Sequence, residues 1–531
     1  MKLFRKVMSG LLAGSLILSL VACGAGSGAT ETGDPSGNGA VGTSSASGDE
    51  IVDNVTLINL EVYANNNSCE FLYADLVFDP LYYGDRQGNN SPCICTSYDL
   101  NEDGTEVTLH IKEGVKFHDG TDLNAEDVVA TFEFMLRNMD TLGLASAVWS
   151  NLESVELIDE YTCKITLSQY FATFENSLTY TWILSDEDIE QYGDDFQSAE
   201  RVINGSGPWK FVEWQDGQYA RYTPNQNYWD PDAVSNIDTL NVWFVNQENA
   251  KVSGITSGNL DYTQSLRSDM VPMVENLEGV EVIEYTSDVM YYMQFDCAED
   301  SIFSDPNARK AVACALDVNT VLALVGGGEK MNCMFLPSLL GYDESIEGYE
   351  YNPDLAREYL AQTDYNGEKL TLYTRNDLVA IDDVMAVFIQ NLVDVGFNIS
   401  TKICDSAEFV TIRQDPSAYD IFFVNLGAFD ADPYTLYIIP RIVNDTHNSY
   451  YHNEELNNLI IDSYTTTDKT KREDELKQVA RIVYDECGPV LGLYASNSYC
   501  VIREGLEGVL VTKGAGPYFR YASVDEAVWN K

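Results

Sequence analysis

The sequence predicts a mixed α/β protein with more than one packed core, and three observations carry that expectation. Segments such as EVTLHIKEGVKF and ESVELIDEYTCKITL alternate apolar and polar residues with the period of half-buried strands, and turn residues bound them. In AIDDVMAVFIQNLVDVGF the period is helical instead: Ile381, Val384, Phe388, Leu392 and Val395 share one face, and Gly396 follows as a C-cap. Finally, 531 residues, 45% of them hydrophobic, supply apolar material for two or three cores.

Lys2, Arg5 and Lys6 precede an apolar run from Leu11 to Val21 that is short for a membrane span, so residues 1–22 read as an export signal. The run closes as Leu20-Val21-Ala22-Cys23-Gly24, which is similar to the bacterial lipobox. Cys23 is then expected to be lipidated and to become the first mature residue, and two acyl chains suffice for stable anchoring. Residues 23–50 are small and polar and read as a flexible tether, leaving a soluble body from about Ile51 onward. The expected location is the extracellular face of the bacterial cell membrane, or the periplasm where two membranes are present. Lys+Arg of 31 against Asp+Glu of 84 leaves a formal charge of -53, which repels a phosphate backbone and argues against nucleic acid as a partner. Of eleven cysteines, ten remain beyond Cys23, scattered without a short-chain framework, and no bridge is assigned. Cys314, among the alanines and valines of KAVACALDV, reads as a buried small hydrophobe.

Leu109 and Ile111 alternate with Thr108, His110 and Lys112, so a strand runs into KEGVKFHDG, where glycines break it. Asn124 then caps a helix with Asp127 at its third position and Val128, Phe132 and Leu136 on its buried side. His118-Asp119 therefore falls at a turn, and with no nucleophile or further base nearby in sequence it reads as structural. DLNEDG from Asp99 matches the first half of a calcium loop, but the twelfth position is His110 and not a bidentate Glu, so a hairpin turn is expected. Gly326 to Gly328 follow a helix without the Lys-Ser/Thr of a phosphate loop and read as a chain reversal. No GxSxG elbow or HExxH helix occurs, and four histidines, with His447 and His452 five apart, make a poor zinc site. No metal, cofactor or catalytic residue is expected. A last helix lies in DKTKREDELKQVARIVYDECGP, with Leu476, Val479 and Val483 inward before Gly488-Pro489.

VFDPLYY (Val77 to Tyr83), Ser91-Pro92 and SYDLNEDGTEVTLHIKEGVKFHDGTDLNAEDVVATF follow one another in a run that resembles the oligopeptide, dipeptide and nickel group, family 5, of extracellular solute-binding proteins serving ABC importers. NGSGPWKFVEW (Asn204 to Trp214) with NQNYWD (Asn225 to Asp230) is similar to that family's second signature. NARKAVACALDVNTVL and YNPDLAREYLAQTDY look like the helices opening its second lobe, and DADPYTLY from Asp430 extends a match running from about Leu57 to the C terminus. The resemblance implies a two-lobed periplasmic-binding-protein-like fold (type II, class C) that clamps a ligand between α/β lobes. Lobe one would hold residues 51–285, with an extra subdomain at about 89–196; lobe two would hold 286–490, and 491–531 would return to lobe one. Hinge crossings would lie near YYMQFD (Tyr291 to Asp296) and LGLYASN (Leu491 to Asn497). The implied protein is a monomer without chemistry of its own that hands its ligand to permease subunits.

Peptide binders of this family grip the ligand amino terminus with an aspartate three residues before the acidic residue of the acidic-proline pair. Here that register holds Phe429, Asp430 comes one place later, and Leu426 stands where a tryptophan is usual. Two readings of Asp430 and Asp432 stay open: a one-residue shift lets Asp430 meet the ammonium, or both only cap the following turn. The resemblance also places Tyr63 and Asn65, after the first strand, and Tyr494, at the second hinge strand, as cleft-lining candidates, with scaffold as the alternative for each. Short peptides are the expected ligand. Cello-oligosaccharide-like sugars stacking on aromatics remain the alternative within the family, and a secreted hydrolase the alternative from another class.

Overall fold

The alternation in EVTLHI and TCKITL builds a four-stranded antiparallel sheet in the computed structural model, with strand order Cys95–Leu100, Glu106–Ile111, Thr162–Leu167, Leu152–Asp159. The structure describes residues 50–53, 62–63, 68–85, 88–193, 203–215, 217–245, 247–413, 418–428, 431–434, 450–511, 517–525 and 527–529. Val107, Leu109 and Ile111, with Cys163, Ile165 and Leu167, give this sheet one buried face, and helix Ala125–Arg137 packs against it. The helix starts on the expected capping box: Asn124 Oδ1 accepts from the Glu126 N–H at 2.6 Å and Asp127 Oδ2 from the Asn124 N–H at 2.9 Å. Val128 and Phe132 are buried, while Leu136 is only half-buried and Met135 takes the inward place. DLNEDG is the turn of the first hairpin, held by Asn101 Oδ1 accepting from the Thr105 and Glu106 N–H groups.

A second sheet runs Glu50–Asp53, Thr239–Trp243, Tyr219–Pro224, Trp209–Gln215. The third and largest has seven strands. Its main path is Tyr262–Leu266, Val490–Arg503, Val280–Phe295, Ile421–Gly427, Leu370–Arg375, Ile399–Cys404, with Gly328–Lys330 added beside Val490–Arg503. Two of these strands, of 16 and 14 residues, are long enough to belong to both halves of the molecule. In the second half Met293, Phe295, Leu372, Ile421 and Phe423 make one core with helices Pro306–Ala315 and Ile381–Val395. Helix Ile381–Val395 buries the five residues its period marks, plus Met385, and ends on Gly396 at φ 118°, a conformation glycine adopts without a Cβ penalty. Cys93, Cys95, Cys163, Cys297, Cys314, Cys333, Cys404, Cys487 and Cys500 are all buried.

The motifs around residues 118 and 205 turn out to hold each other. The His118 N–H donates to Gly205 O at 2.7 Å, His118 Nε2 lies 2.9 Å from Gly207 O, and Asn204 and Asp119 exchange hydrogen bonds. Burial lowers the His118 pKa to about 4, so at neutral pH the ring is uncharged and Nε2–H donates to the Gly207 carbonyl. His118→Ala is therefore expected to lower stability by about 1–2 kcal/mol, read by urea denaturation, without touching ligand affinity.

Two carboxyls move the other way. Burial raises Asp127 from 3.8 to about 7 and Asp296 from 3.8 to about 6. The folded state then binds protons that the unfolded chain has released, a contribution that is full below about pH 4 and lost as pH rises through about 6 and 7. His118 opposes it, but only below about pH 6.5, where the unfolded ring begins to charge. The melting temperature is thus expected to rise as pH falls from about 8 to about 6.5, and Asp127→Asn to flatten that rise. A thermal scan across this range checks it.

Candidate functional site

The two long strands run antiparallel from one half to the other, and their register breaks where they cross. It shifts between Thr286 and Met290 and again between Tyr291 and Tyr292, opposite the segment from Gly492 to Asn497. On the first-half side, Ser265 sits at φ 61° where strand Tyr262–Leu266 slips against Val490–Arg503. Polar side chains gather at the break. Ser287 Oγ donates to Ser496 O at 3.0 Å, Asn497 Nδ2 to Glu284 Oε1 at 2.6 Å, and Ser338 Oγ to Asp288 Oδ1 at 2.8 Å. The triple glycine ends helix Val318–Val325 and lays Gly328–Lys330 onto the returning strand. At Gly328, φ 138°, a Cβ would stand 2.1 Å from Ala495 O, so only glycine fits.

Strand Ile421–Gly427 leads to this crossing. Val280–Phe295 pairs with it along its whole length, from Phe295↔Ile421 to Val289↔Gly427. On its other edge, Leu370–Arg375 pairs with it only at Ile421 and Phe422. From Val424 to Gly427 that edge has no strand beside it among the described residues. Strands Leu370–Arg375, Ile399–Cys404 and Ile421–Gly427 are parallel, so their C-terminal ends open on the same side, where α/β sheets place ligands. Arg375 ends the first of them, with Nη2 donating to Asn425 Oδ1 at 3.1 Å and Nε 3.0 Å from Asp377 Oδ1.

The candidate residues fall into two groups. Tyr63 is fully buried, its hydroxyl donating to the Trp182 carbonyl. Tyr494 is fully buried too, stacked on Tyr291 with ring centroids 4.6 Å apart and planes 8° from parallel. Asp432 takes Arg472 in a two-pronged pair, 2.6 Å to Nη1 and 2.9 Å to Nη2, and accepts from the Tyr434 N–H at 3.0 Å. Asn65, Phe429 and Asp430 lie outside the described residues, as do Cys23 and residues 24–49 of the tether. The polar set at the crossing, with Arg375 and Asn425, was missed in the sequence. The only local signal was an arginine at the end of a strand pattern, TLYTR, before a turn. Among the described residues, no group of three His, Cys, Asp or Glu side chains could hold a metal, and no helix is long and apolar enough to cross a membrane.

A seven-stranded sheet shared by two halves, with an irregular crossing and open strand ends beside it, is the frame of a two-lobed binding protein. The chain belongs to the bacterial extracellular solute-binding proteins, family 5, whose model matches residues 90–444. It is 25% identical over 493 residues to the oligopeptide-binding protein AppA of Bacillus subtilis, covering 87% of this chain and 88% of that protein. To the glutathione-binding protein GsiB of Escherichia coli it is 22% identical, covering 88% and 92%. The structure of Helicobacter pylori DppA, an ABC transporter-associated periplasmic binding protein in complex with peptide STSA, superposes with a TM-score of 0.73 at 20% identity, covering 87% and 95%. The fold is therefore the two-lobed periplasmic-binding-protein fold.

Proposed function

We propose that the protein is the ligand-capturing lipoprotein of an ABC importer, taking short peptides between its lobes and delivering them unchanged to permease subunits in the membrane. The observation that carries the peptide reading is the edge from Val424 to Gly427, which has no strand beside it among the described residues. An extended peptide is itself a strand, and an open edge offers it backbone hydrogen bonds whatever its side chains are. The relatives named for peptides support the same choice. In this reading Asp430 receives the ligand ammonium, Phe429 and Asn65 flank it, and Asn425 and Arg375 face the chain beyond. Tyr63, Asp432 and Tyr494 work from behind as the scaffold that holds those elements. Lobe one comprises 51–285 with its subdomain at about 89–196, lobe two 286–490, and 491–531 returns; lipidated Cys23 and residues 23–50 tether the body to the outer face of the membrane. Mass spectrometry of co-purifying ligand, followed by calorimetry with di- to octapeptides and cello-oligosaccharides, tests the reading. Heat from peptides is expected, and heat from sugars alone would overturn it.

A further inference from the structure

We propose that Tyr464 is a clasp that holds the lobes closed before ligand arrives, and so is a positioning residue for capture. This rests on the two-lobed binding reading but on no particular ligand. Tyr464 lies in the last turn of helix Glu454–Thr465, which the second lobe holds at Ser463: Tyr434 bonds to its hydroxyl at 2.7 Å, and Arg472 Nε donates to its carbonyl at 3.0 Å. Helix Lys469–Asp485 follows and is fixed to the same lobe by Arg481, whose Nη2 lies 3.0 Å from Asp343 Oδ2, and by the Arg309 guanidinium on Cys487 O. The tyrosine itself, however, is sunk in the subdomain of the first lobe. Its carbonyl accepts the Ala172 N–H at 2.7 Å, its hydroxyl accepts from Asn151 Nδ2 at 3.2 Å, and its ring stacks on Phe171 with centroids 6.2 Å apart. Tyr464, Asn151 and Phe171 are all buried.

None of these three partners belongs to the seven-stranded sheet that carries the crossing, so opening about the crossing has to pull Tyr464 out of its seat. The rings form a continuous line across the lobes, Trp149 to Phe171 to Tyr464 to Tyr434, the last pair 5.0 Å apart. Leaving the seat exposes aromatic surface to water, which is unfavourable, and exchanges the Asn151 and Ala172 hydrogen bonds for bonds to water. All of these contacts are made between residues of the chain itself. A clasp of this kind raises the closed population of the empty protein, and apparent affinity scales with that population.

Hydrogen exchange and small-angle scattering on the full-length protein, freed of co-purified ligand, test it. In the wild type the Ala172 amide is expected to be protected without ligand; exchange at the rate of an open loop would overturn the clasp, and this result needs no variant. Tyr464→Ala is expected to enlarge the radius of gyration of the empty protein and to speed Ala172 exchange more than tenfold. Tyr464→Phe, which keeps the ring and the backbone bond, is expected to stay near wild type. An unchanged radius and unchanged exchange in Tyr464→Ala would refute the proposal. Any ligand found by calorimetry should leave Tyr464→Ala roughly tenfold faster than wild type. Failure of every peptide to bind would refute the peptide reading while leaving the scattering and exchange results to judge the clasp.

Discussion

Asp79→Ala is expected to lose about 3–5 kcal/mol of stability, enough to unfold the first lobe at modest denaturant. Asp79 is fully buried. Its Oδ1 accepts from Arg520 Nη2 at 2.5 Å and from the Tyr228 hydroxyl at 2.6 Å, and its Oδ2 accepts from Trp229 Nε1 at 3.0 Å. One carboxylate thus ties the VFDPLYY segment to the NYWD turn and to the C-terminal return of the chain. Arg520 is 2% exposed, so removing its partner leaves an uncompensated charge in the interior, and that accounts for most of the expected loss. The double variant Asp79→Ala/Arg520→Met, which removes both charges, should recover part of the stability. Urea denaturation followed by tryptophan fluorescence reads all three proteins. Equal stability of wild type and Asp79→Ala would show that the pair does not hold the lobe.

Arg472→Met should have an effect of similar size on the second lobe, with ligand binding lost alongside. The Asp432–Arg472 pair is buried on both sides, with side chains 7% and 8% exposed, and Arg472 also donates to Ser463 O. Releasing it frees the segment that follows strand Ile421–Gly427, the segment in which the candidate ligand residues stand. Arg472→Lys is expected to fail almost as badly, because an ammonium cannot reproduce two parallel bonds. Asp430→Asn forms the contrast: an unchanged melting temperature and a peptide affinity lower by about tenfold or more, the loss of a charge-assisted bond to the ligand amine. Melting curves with calorimetry on these three variants and on Asp432→Asn separate the two aspartates. If Asp432→Asn lowered affinity at unchanged stability, the two roles would have to be exchanged.

What the sequence made legible was local. The helix Ile381–Val395, the cap at Asn124 and the hairpin at DLNEDG follow from residues a few places apart, and the structure has all three. The family was legible too, because its signatures are short contiguous runs. The roles of individual polar residues were not, because each depends on a distant partner. Asp432 read as a cleft candidate or a turn cap, and its partner could not be seen, since Arg472 lies 40 residues on, on a buried helix face shared with Glu475, Leu476, Val479, Ala480 and Val483. His118 could be judged structural by the lack of catalytic neighbours, but its seat against Gly207 is made 89 residues later. The edge from Val424 to Gly427, without a neighbouring strand among the described residues, leaves no mark in its own residues at all: a strand with one neighbour or two has the same alternation, and pairing is decided by where Leu370–Arg375 stops.

Amide hydrogen exchange over Val424 to Gly427, with and without a peptide that gives heat in calorimetry, probes the strand edge where capture is placed. Peptide-dependent protection of alternate amides along that segment is expected, as an added strand requires. A ligand that binds tightly yet leaves those amides exchanging as in the empty protein would contradict it.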